Sequence, residues 1–164
     1  MTDFFIKKIS EIKIVDLIAS ESVIIGLDVG DRTIGVAVSD RRIRIASGLT
    51  TVIRKEMSMD IAHLLESIRY HNVGSVIFGW PLQMNGIPGE QCKKVLEFIG
   101  YLSAYLKVCF AQWDERFSTK VIDKLMIEAD LSRRKRKKII DRNAAVYILQ
   151  GAIDFLNSSN RLLE

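Results

Sequence analysis

The sequence predicts an α/β fold in which a mixed five-stranded sheet is flanked by helices. Two observations carry this prediction. Apolar, β-branched runs bounded by turn residues recur along the chain, and segments with the apolar spacing of helices alternate with the later runs. The chain has 164 residues and only two prolines, so it is long enough to bury one core and lacks a linker-like stretch, and one main domain is expected.

The predicted sheet begins with a hairpin. Residues 23–28 and 33–38 are both apolar and β-branched, and the segment VGDR separates them. Gly30 is expected to supply the backbone conformation that this turn needs. The other three strands are predicted at 42–53, 73–80 and 107–113.

Helices are predicted between the later strands and at the end of the chain. Apolar residues recur at helical spacing over 61–68 and again over 95–106. Two further helices are predicted at 118–129 and 139–157.

Three strand ends meet at one edge of the predicted sheet, because helical connections make the strands that they join parallel. These strands end at Asp28, Trp80 and Trp113. Ligands of open α/β sheets bind at this carboxyl edge. The residues at and after these strand ends are therefore the first candidates for a functional site.

Acidic residues stand out at this edge. Asp28 ends a strand whose other residues are apolar, and Asp114 and Glu115 follow the last strand. Asp141 lies in the first turn of the last helix, on the same stripe as apolar residues that face the core. By contrast, Asp40 is expected about 24 Å along the hairpin from Asp28 and is interpreted as a turn residue.

Each of these acids has an ordinary structural role available to it: a turn cap for Asp28, an ion pair for Glu115 and a helix-start charge for Asp141. If the fold brings all three together, their charges repel unless cations lie between them. Mg²⁺ or Mn²⁺ is the expected cofactor, because hard divalent ions prefer carboxylate oxygens, and a pair of such ions would suit phosphodiester hydrolysis. Between Asp114 and Glu115, the sequence leaves open which side chain turns inward.

The positive charge of the chain is concentrated in one segment. Residues 133–138, RRKRKK, contribute six positive charges, whereas the whole chain has a net charge of +4. Such a run is either a solvated helix face or a patch that binds phosphates. The second interpretation predicts a nucleic-acid partner.

The remaining composition indicates the environment. The two cysteines lack CxxC spacing, which favours a reducing compartment over a disulfide scaffold or a zinc site. Charges interrupt the N-terminal segment, and no run of about 18 apolar residues occurs. We therefore expect a soluble, cytoplasmic protein without a membrane partner.

Four segments follow one another within residues 23–156, namely IGLDVGDRTIGVAVSD, GWPLQMNG, DERFST and DRNAAVYILQ. They resemble the four motifs of the YqgF (RuvX) family of pre-16S rRNA nucleases, which are related to Holliday junction resolvases. The resemblance implies a ribonuclease H-like fold, a divalent-metal nuclease and a role in maturing the 5′ end of 16S ribosomal RNA in bacteria. The implied partners are RNA, or another structured nucleic acid, and the precursor of the small ribosomal subunit.

The resemblance also implies roles for individual residues. Asp28, Glu115 and Asp141 correspond to the catalytic, metal-binding acids of the family. Further positions correspond to its substrate-binding stretch and loop, namely Arg116, Ser118, Thr119, Pro81 and Gly86. Four residues of the basic run are expected to hold phosphates, namely Arg133, Arg134, Lys135 and Arg136. Ser118 stands where the family usually has threonine, and it retains the hydroxyl.

The first 22 residues precede the point at which members of this family usually begin. Apolar residues at Phe5, Ile9 and Ile12 predict a short helix packed on the domain. The expected division is an N-terminal extension (1–22), a ribonuclease H-like nuclease domain (23–157) and a C-terminal tail (158–164).

Three other functions compete with this interpretation. A Holliday junction resolvase would need a dimer that presents a pair of sites to a four-way junction. A non-catalytic nucleic-acid-binding or ribosome-binding protein would retain the acids without turnover. An actin-like sugar kinase or ATPase would share the GLDVGDRTIGVAVSD loop, but such proteins usually need a pair of these domains, and 164 residues are too few.

Overall fold

Six strands form one mixed sheet in the described part of the chain, so a sixth strand joins the five predicted ones. In chain order they are β1 (Ile6–Lys7), β2 (Val23–Val29), β3 (Thr33–Ser39), β4 (Ala46–Ile53), β5 (Val73–Trp80) and β6 (Cys109–Asp114). The computed structural model describes residues 6–116 and 127–161, apart from the side chains of 138–142, 160 and 161. The strands lie side by side in the order β1-β6-β5-β2-β3-β4. The α/β class with a mixed sheet is confirmed.

The directions of the strands follow from their connections. β3 pairs antiparallel with β2 and with β4, whereas β5 pairs parallel with β2 and with β6. The carboxyl ends of β2, β5 and β6 therefore lie at one edge, as predicted. Asp28 pairs with Gly35 of β3. On the other side Leu27 pairs with Phe78, so the next residues, Asp28 and Gly79, are neighbours as well.

Helices cover both faces of the sheet. They are a 3₁₀ helix (Ile9–Glu11), α1 (Ile14–Ala19), α2 (Met57–Ile68), α3 (Glu90–Tyr105) and α4 (Arg133–Arg161). α2 and α3 pack on one face and α4 packs on the other. α4 is kinked at Asn143, whose φ of −119° and ψ of 17° are not helical. The predicted helix at 118–129 falls mostly outside the described residues, whereas the one at 139–157 lies within α4.

Alternation along β2 divides its side chains between two cores. Ile25 and Leu27 belong to the cluster under α2 and α3, whereas Ile24 belongs to the cluster under α4. Asp28 is four residues after Ile24, so its side chain is on the α4 face of the sheet. None of the described helices is long and apolar enough to cross a membrane.

Two glycines of the sheet let α4 approach it closely. A Cβ atom at Gly26 would lie 2.6 Å from Cβ of Leu149, and one at Gly35 would lie 3.2 Å from Cβ of Ala145. Larger residues at these positions would push the helix away from the sheet. The part of α4 just after its kink is thereby held against β2 and β3, beside Asp28.

The turn between β2 and β3 needs Gly30 for a different reason than predicted. The φ of Gly30 is not in the left-handed region. Among the described glycines, Gly86 has such a φ. The N–H of Gly30 donates to the carbonyl of Thr33 over 2.9 Å. A Cβ atom at Gly30 would lie 2.9 Å from that same oxygen. The turn therefore requires glycine for space, and the predicted conformational reason is wrong.

Asp40 is confirmed as a turn residue. Its Oδ1 accepts hydrogen bonds from the backbone N–H groups of Arg44 over 2.7 Å and of Ile45 over 2.9 Å. Although burial acts to raise it, these backbone hydrogen bonds hold the pKa of Asp40 below its usual range. Because Asp28 pairs with Gly35, Asp40 lies about 17 Å along β3 from the site, which is closer than predicted.

The N-terminal extension joins both the sheet and the core. β1 pairs parallel with β6 at the edge of the sheet, with Ile6 opposite Phe110. Ile12 is buried in the cluster under α4 and Ile9 packs against that cluster, so the predicted contact of these two residues with the domain is confirmed. The predicted short helix is confirmed only as the 3₁₀ helix, because Ile6–Lys7 pair with β6 instead. Phe5 lies outside the described residues. The division into extension, nuclease domain and tail stays a prediction.

Candidate active site

Asp28 lies between two glycines near the end of β2. Gly35 is beside it on β3 and Gly79 is beside it on β5, so neither neighbour has a side chain. A strand in the middle of a sheet fixes a side chain more firmly than a loop does. The arrangement lets side chains of other elements come close to a well-placed carboxylate.

Glu115 follows β6 and extends over Gly79. A Cβ atom at Gly79 would overlap the carboxylate of Glu115 and would also collide with Ile148 of α4. Burial raises the pKa of Glu115 to about 7, and the nearby charges of Asp28 and Asp114 add to the shift. The carboxylates of Asp28, in β2, and of Glu115, which follows the non-adjacent strand β6, therefore share one site.

Asp114 is paired with Arg116. The guanidinium of Arg116 donates from Nε to Oδ1 of Asp114 over 3.0 Å and from Nη2 to Oδ2 over 2.7 Å. These hydrogen bonds hold the pKa of Asp114 below its usual range. Of the two neighbouring acids, Glu115 is therefore the one that turns inward towards Asp28, and its role as a metal ligand stays a prediction.

Asp141, the third predicted acid, does not lie in the first turn of its helix, because α4 begins eight residues earlier, at Arg133, so that part of the prediction is wrong. Its side chain lies outside the described residues, so its place is given by the backbone of the helix. Four residues later, Ala145 packs on Gly35, next to Asp28. The helix that carries Asp141 therefore passes over the site.

A cavity of about 410 Å³ opens beside Asp28. It lies between β3, β4 and the part of α4 after the kink. Its lining consists of Asp28, Thr33, Gly35, Val36, residues 48–51 and residues 143–146. Asp28 is the charged residue of this lining, and the rest contributes hydroxyls, an amide and apolar groups. The volume is in the range of small-molecule and nucleotide sites.

Similar proteins identify the family. The model of the family described as RuvX, Holliday junction resolvase, matches residues 22–155. The chain belongs to the RuvX family. A Clostridium novyi relative named "Putative pre-16S rRNA nuclease" is 51% identical over 131 residues, which are 80% of this chain and 97% of the relative. A Clostridium botulinum relative of the same name, from strain Hall, is 46% identical over 134 residues, covering 82% of this chain and 98% of the relative.

The fold of this RuvX chain also occurs in a solved structure of Thermus thermophilus RuvC in complex with a Holliday junction substrate. The two align with a TM-score of 0.51 at 14% identity, over 79% of this chain and 91% of RuvC. At this identity the likeness concerns the fold. The ribonuclease H-like fold and the family that the motifs imply are confirmed, and the chain is a member of a nuclease family.

In this RuvX chain, the loop after β5 brings Gly86 next to Arg116. Gly86 has a φ of +80°, and its N–H donates to the carbonyl of Gln83 over 2.8 Å. A Cβ atom at Gly86 would lie 3.5 Å from Nη1 of Arg116. Pro81 begins the same loop, and its carbonyl accepts a hydrogen bond from the thiol of Cys92 over 3.5 Å. The structure thus brings Gly86 and Arg116 together, while Pro81 lies at the base of the loop.

The basic run forms the first turns of α4. Oγ of Ser132 accepts a hydrogen bond from the N–H of Lys135 over 3.4 Å, which caps the helix. Arg136 is half-buried, and its Nη1 donates to the carbonyl of Leu131 over 2.9 Å. The exposed members of the run are Arg133, Arg134, Lys135 and Lys137. The run therefore presents its positive charge mostly to solvent.

The donor chemistry of the site fits a hard divalent cation. Carboxylate oxygens are the ligands that Mg²⁺ prefers, and a cation would offset the repulsion between Asp28 and Glu115. No group of three His, Cys, Asp or Glu side chains converges among those that the structure describes. Asp141 would add the third carboxylate, and its side chain is not among them. Ser118 and Thr119 also lie outside the described residues.

Sequence reasoning missed the two glycines that shape this site. Gly35 and Gly79 flank Asp28 and make room for Ala145 and Glu115. A signal was present, since a glycine inside a strand weakens it and often marks the close approach of another group.

Proposed function

We propose that this chain is a divalent-metal-dependent nuclease that hydrolyses phosphodiester bonds at the 5′ end of pre-16S ribosomal RNA. The observation that carries the proposal is the pairing of Asp28 and Glu115 at one site beside a cavity. Membership of a nuclease family supports hydrolysis. The name shared by the two clostridial relatives supports the RNA substrate.

Mg²⁺ or Mn²⁺ is the proposed cofactor, with Asp28, Glu115 and Asp141 as its ligands. Such ions stabilise the charge that develops on a phosphodiester and provide a nucleophile at neutral pH. Asp28 contributes a carboxylate whose position β2 fixes. Glu115 must lose its proton to act as a ligand, so we expect the site to load poorly below about pH 7.

The substrate backbone is proposed to follow the positive charge at the start of α4. Basic side chains at a helix N-terminus lie near the positive end of the helix dipole, and a bound phosphate relieves this unfavourable arrangement. Residues 133–136 would hold phosphates in this way. Arg116 would contribute a guanidinium that Asp114 already holds in place, and Ser118 and Thr119 would add hydroxyl groups.

The proposed partner is the precursor of the small ribosomal subunit, in the bacterial cytoplasm. The reason is the substrate in the name of the two relatives, since that RNA is assembled into this particle. Precursor particles therefore belong beside naked RNA among the substrates to be tested.

A cleavage assay tests the proposal. Labelled RNA that carries the 16S 5′ leader, free or in precursor particles, is incubated with the purified chain in Mg²⁺, in Mn²⁺ and in chelator. We expect cuts in the leader that require metal. Cuts that persist in excess chelator would refute the metal dependence. Binding of both substrates without cuts under any condition would instead identify a non-catalytic binding protein.

A Holliday junction resolvase is the second candidate function, and the description of the matched family favours it. A resolvase has to present a pair of sites to a four-way junction, which requires a dimer. A labelled junction, offered beside the leader RNA, separates the two candidates. Paired, symmetric cuts in the junction by a dimer would favour the resolvase, whereas cleavage of the RNA alone by a monomer would exclude it.

A further inference from the structure

The segment between β3 and β4 carries exposed arginines. Residues 40–45 form this segment, here named the arginine loop, and its exposed guanidinium groups belong to Arg41, Arg42 and Arg44. Within residues 6–116 and 127–161, none of the three forms an ion pair. The carboxylate of Asp40 is engaged by backbone N–H groups of the loop itself. The loop therefore carries a surplus of positive charge, separate from the basic run of α4.

Ile43 anchors the arginine loop in a strained conformation. It is completely buried, at 0% exposure, in the core cluster under α4, and its φ is +52°. A β-branched residue rarely adopts a left-handed backbone, and such an outlier persists only where the surrounding structure fixes it. The backbone between Arg42 and Arg44 is thus held by the core.

Two side chains of α4 brace the same loop. Gln150 donates from Nε2 to the carbonyl of Arg44 over 3.0 Å and accepts at Oε1 from the N–H of Ala46 over 2.8 Å. Asn157 donates from Nδ2 to the carbonyl of Ile43 over 2.9 Å. Because the backbone is already fixed, a ligand of the arginines would not have to order it on binding.

The arginine loop and the candidate active site lie along one flank of α4. Asn143 lines the cavity beside Asp28, and Gln150 and Asn157 follow it at i+7 and i+14, on the same stripe of the helix. At about 1.5 Å per residue, they lie about 10 Å and about 21 Å further along the helix. A nucleic-acid strand that left the site along this flank would reach the loop within several nucleotides, since even a stacked B-form strand advances about 3.4 Å along its axis per nucleotide.

We propose that Arg41, Arg42 and Arg44 form a second phosphate-binding site, which holds the backbone of the nucleic acid whose scissile phosphate lies at Asp28. Guanidinium groups match phosphate oxygens with paired hydrogen bonds, which suits them to this ligand better than ammonium groups. The inference rests on the proposed function for its class of ligand, a nucleic-acid backbone. It adds a contact at the far end of β3, about 17 Å or more from the acidic pair.

Salt-dependent RNA binding tests this site. The variant R41Q/R42Q/R44Q is compared with the parent on a leader RNA hairpin that extends well past the cleavage point on both sides. Both chains carry D28N, so that the RNA is not consumed. The matched control, R69Q/K93Q/K107Q, removes three exposed cations from the α2 and α3 side of the sheet.

The arginine-loop variant is expected to bind the long hairpin at least about tenfold more weakly at physiological salt. The logarithm of the binding constant should fall less steeply with the logarithm of the salt concentration. The magnitude of the slope should decrease by about two to three, because each lost phosphate contact removes about 0.7 to 0.9. The control should keep the affinity and slope of the parent. R41K/R42K/R44K, which retains the charges, should restore most of the slope.

A series of shortened RNAs locates the contact. RNA trimmed close to the cleavage point cannot reach the loop, so the parent and R41Q/R42Q/R44Q should bind it equally. An unchanged slope on the long hairpin, or an equal loss on short and long RNA, would overturn this inference alone. Absence of RNA binding by the parent would overturn it together with the proposed function. If the triple variant unfolds, R42Q replaces it, with an expected change in slope of about 0.7 to 0.9.

Discussion

Gly79 has no side chain at the place where the carboxylate of Glu115 lies. β5 separates β2 from β6, so a larger residue at Gly79 would stand between Asp28 and Glu115. The glycine allows an acid of β2 and an acid that follows the non-adjacent strand β6 to share a site. Ile148 packs into the same region, which ties the acidic pair to the helix that carries Asp141.

Replacing Gly79 with alanine is predicted to displace Glu115 and Ile148, because the added methyl group overlaps both. The free energy of unfolding should fall by about 1–3 kcal/mol, and cleavage of the leader RNA should fall as well. Chemical denaturation and the cleavage assay measure these effects.

The matched control is Gly100→Ala, where a Cβ atom would meet nothing within 4 Å. In the middle of α3 this change should raise stability by about 1 kcal/mol. Parent-like stability and activity in Gly79→Ala would count against the described packing.

The stability of the metal-free chain is predicted to fall as the pH rises from about 4.5 to about 7. The pKa of Glu115 is raised from 4.5 to about 7 by burial, with the charges of Asp28 and Asp114 adding to the effect. In this range the folded state binds more protons than the unfolded state, so the loss reaches up to about 3 kcal/mol above pH 7. Denaturation in chelator measures the profile. Glu115→Gln should flatten it, and a parent profile as flat as that of the variant would be the contrary result.

Glu115 and Asp114 are predicted to differ in their effect on catalysis, although they are adjacent. Glu115→Gln removes a proposed metal ligand. Losing a residue that only supports a ligand costs up to about 100-fold, so losing the ligand itself should lower the cleavage rate by at least about 100-fold. Asp114→Asn releases Arg116 instead, so it should mainly raise KM, with less than about a tenfold fall in kcat. Steady-state kinetics at saturating Mg²⁺ separates the two parameters. The reverse order of effects would show that Asp114 is the ligand.

The architecture could be predicted because its strands are long enough to show a pattern. β2, β3 and β5 each extend over seven or eight residues, and their apolar, β-branched runs are unambiguous. β1 has two residues, too few for any alternation, so it could not be predicted. The left-handed conformation of Ile43 has no sequence signal either, since its burial and its hydrogen bonds come from distant residues of α4.

The candidate site could be predicted only in part. Asp28 was identifiable as a polar residue at the end of a buried strand. The choice between Asp114 and Glu115 could not be made, because neighbouring strand residues point to opposite faces and a shift of one residue exchanges them. The pairing of Asp114 with Arg116 follows from local geometry after β6, which periodicity does not encode.

The N-terminal extension is predicted to contribute to stability. Ile12 is 6% exposed in the cluster under α4, so Ile12→Ala should lower the free energy of unfolding by about 2–4 kcal/mol. Ile18 is 43% exposed, and Ile18→Ala should change the free energy of unfolding by about 0.5 kcal/mol or less. Urea denaturation of the two variants makes the comparison. Equal effects of both changes would show that the extension does not pack as described.

The central claim is that Asp28, with Glu115 and Asp141, holds a divalent ion that is needed for cleavage. The most direct test measures Mn²⁺ binding, RNA binding and RNA cleavage for Asp28→Asn and the parent. The substitution removes a charge with almost no change in shape, so folding and RNA binding should be retained. We expect Mn²⁺ affinity to fall at least about tenfold and cleavage to disappear. Cleavage by Asp28→Asn at the rate of the parent would contradict the claim.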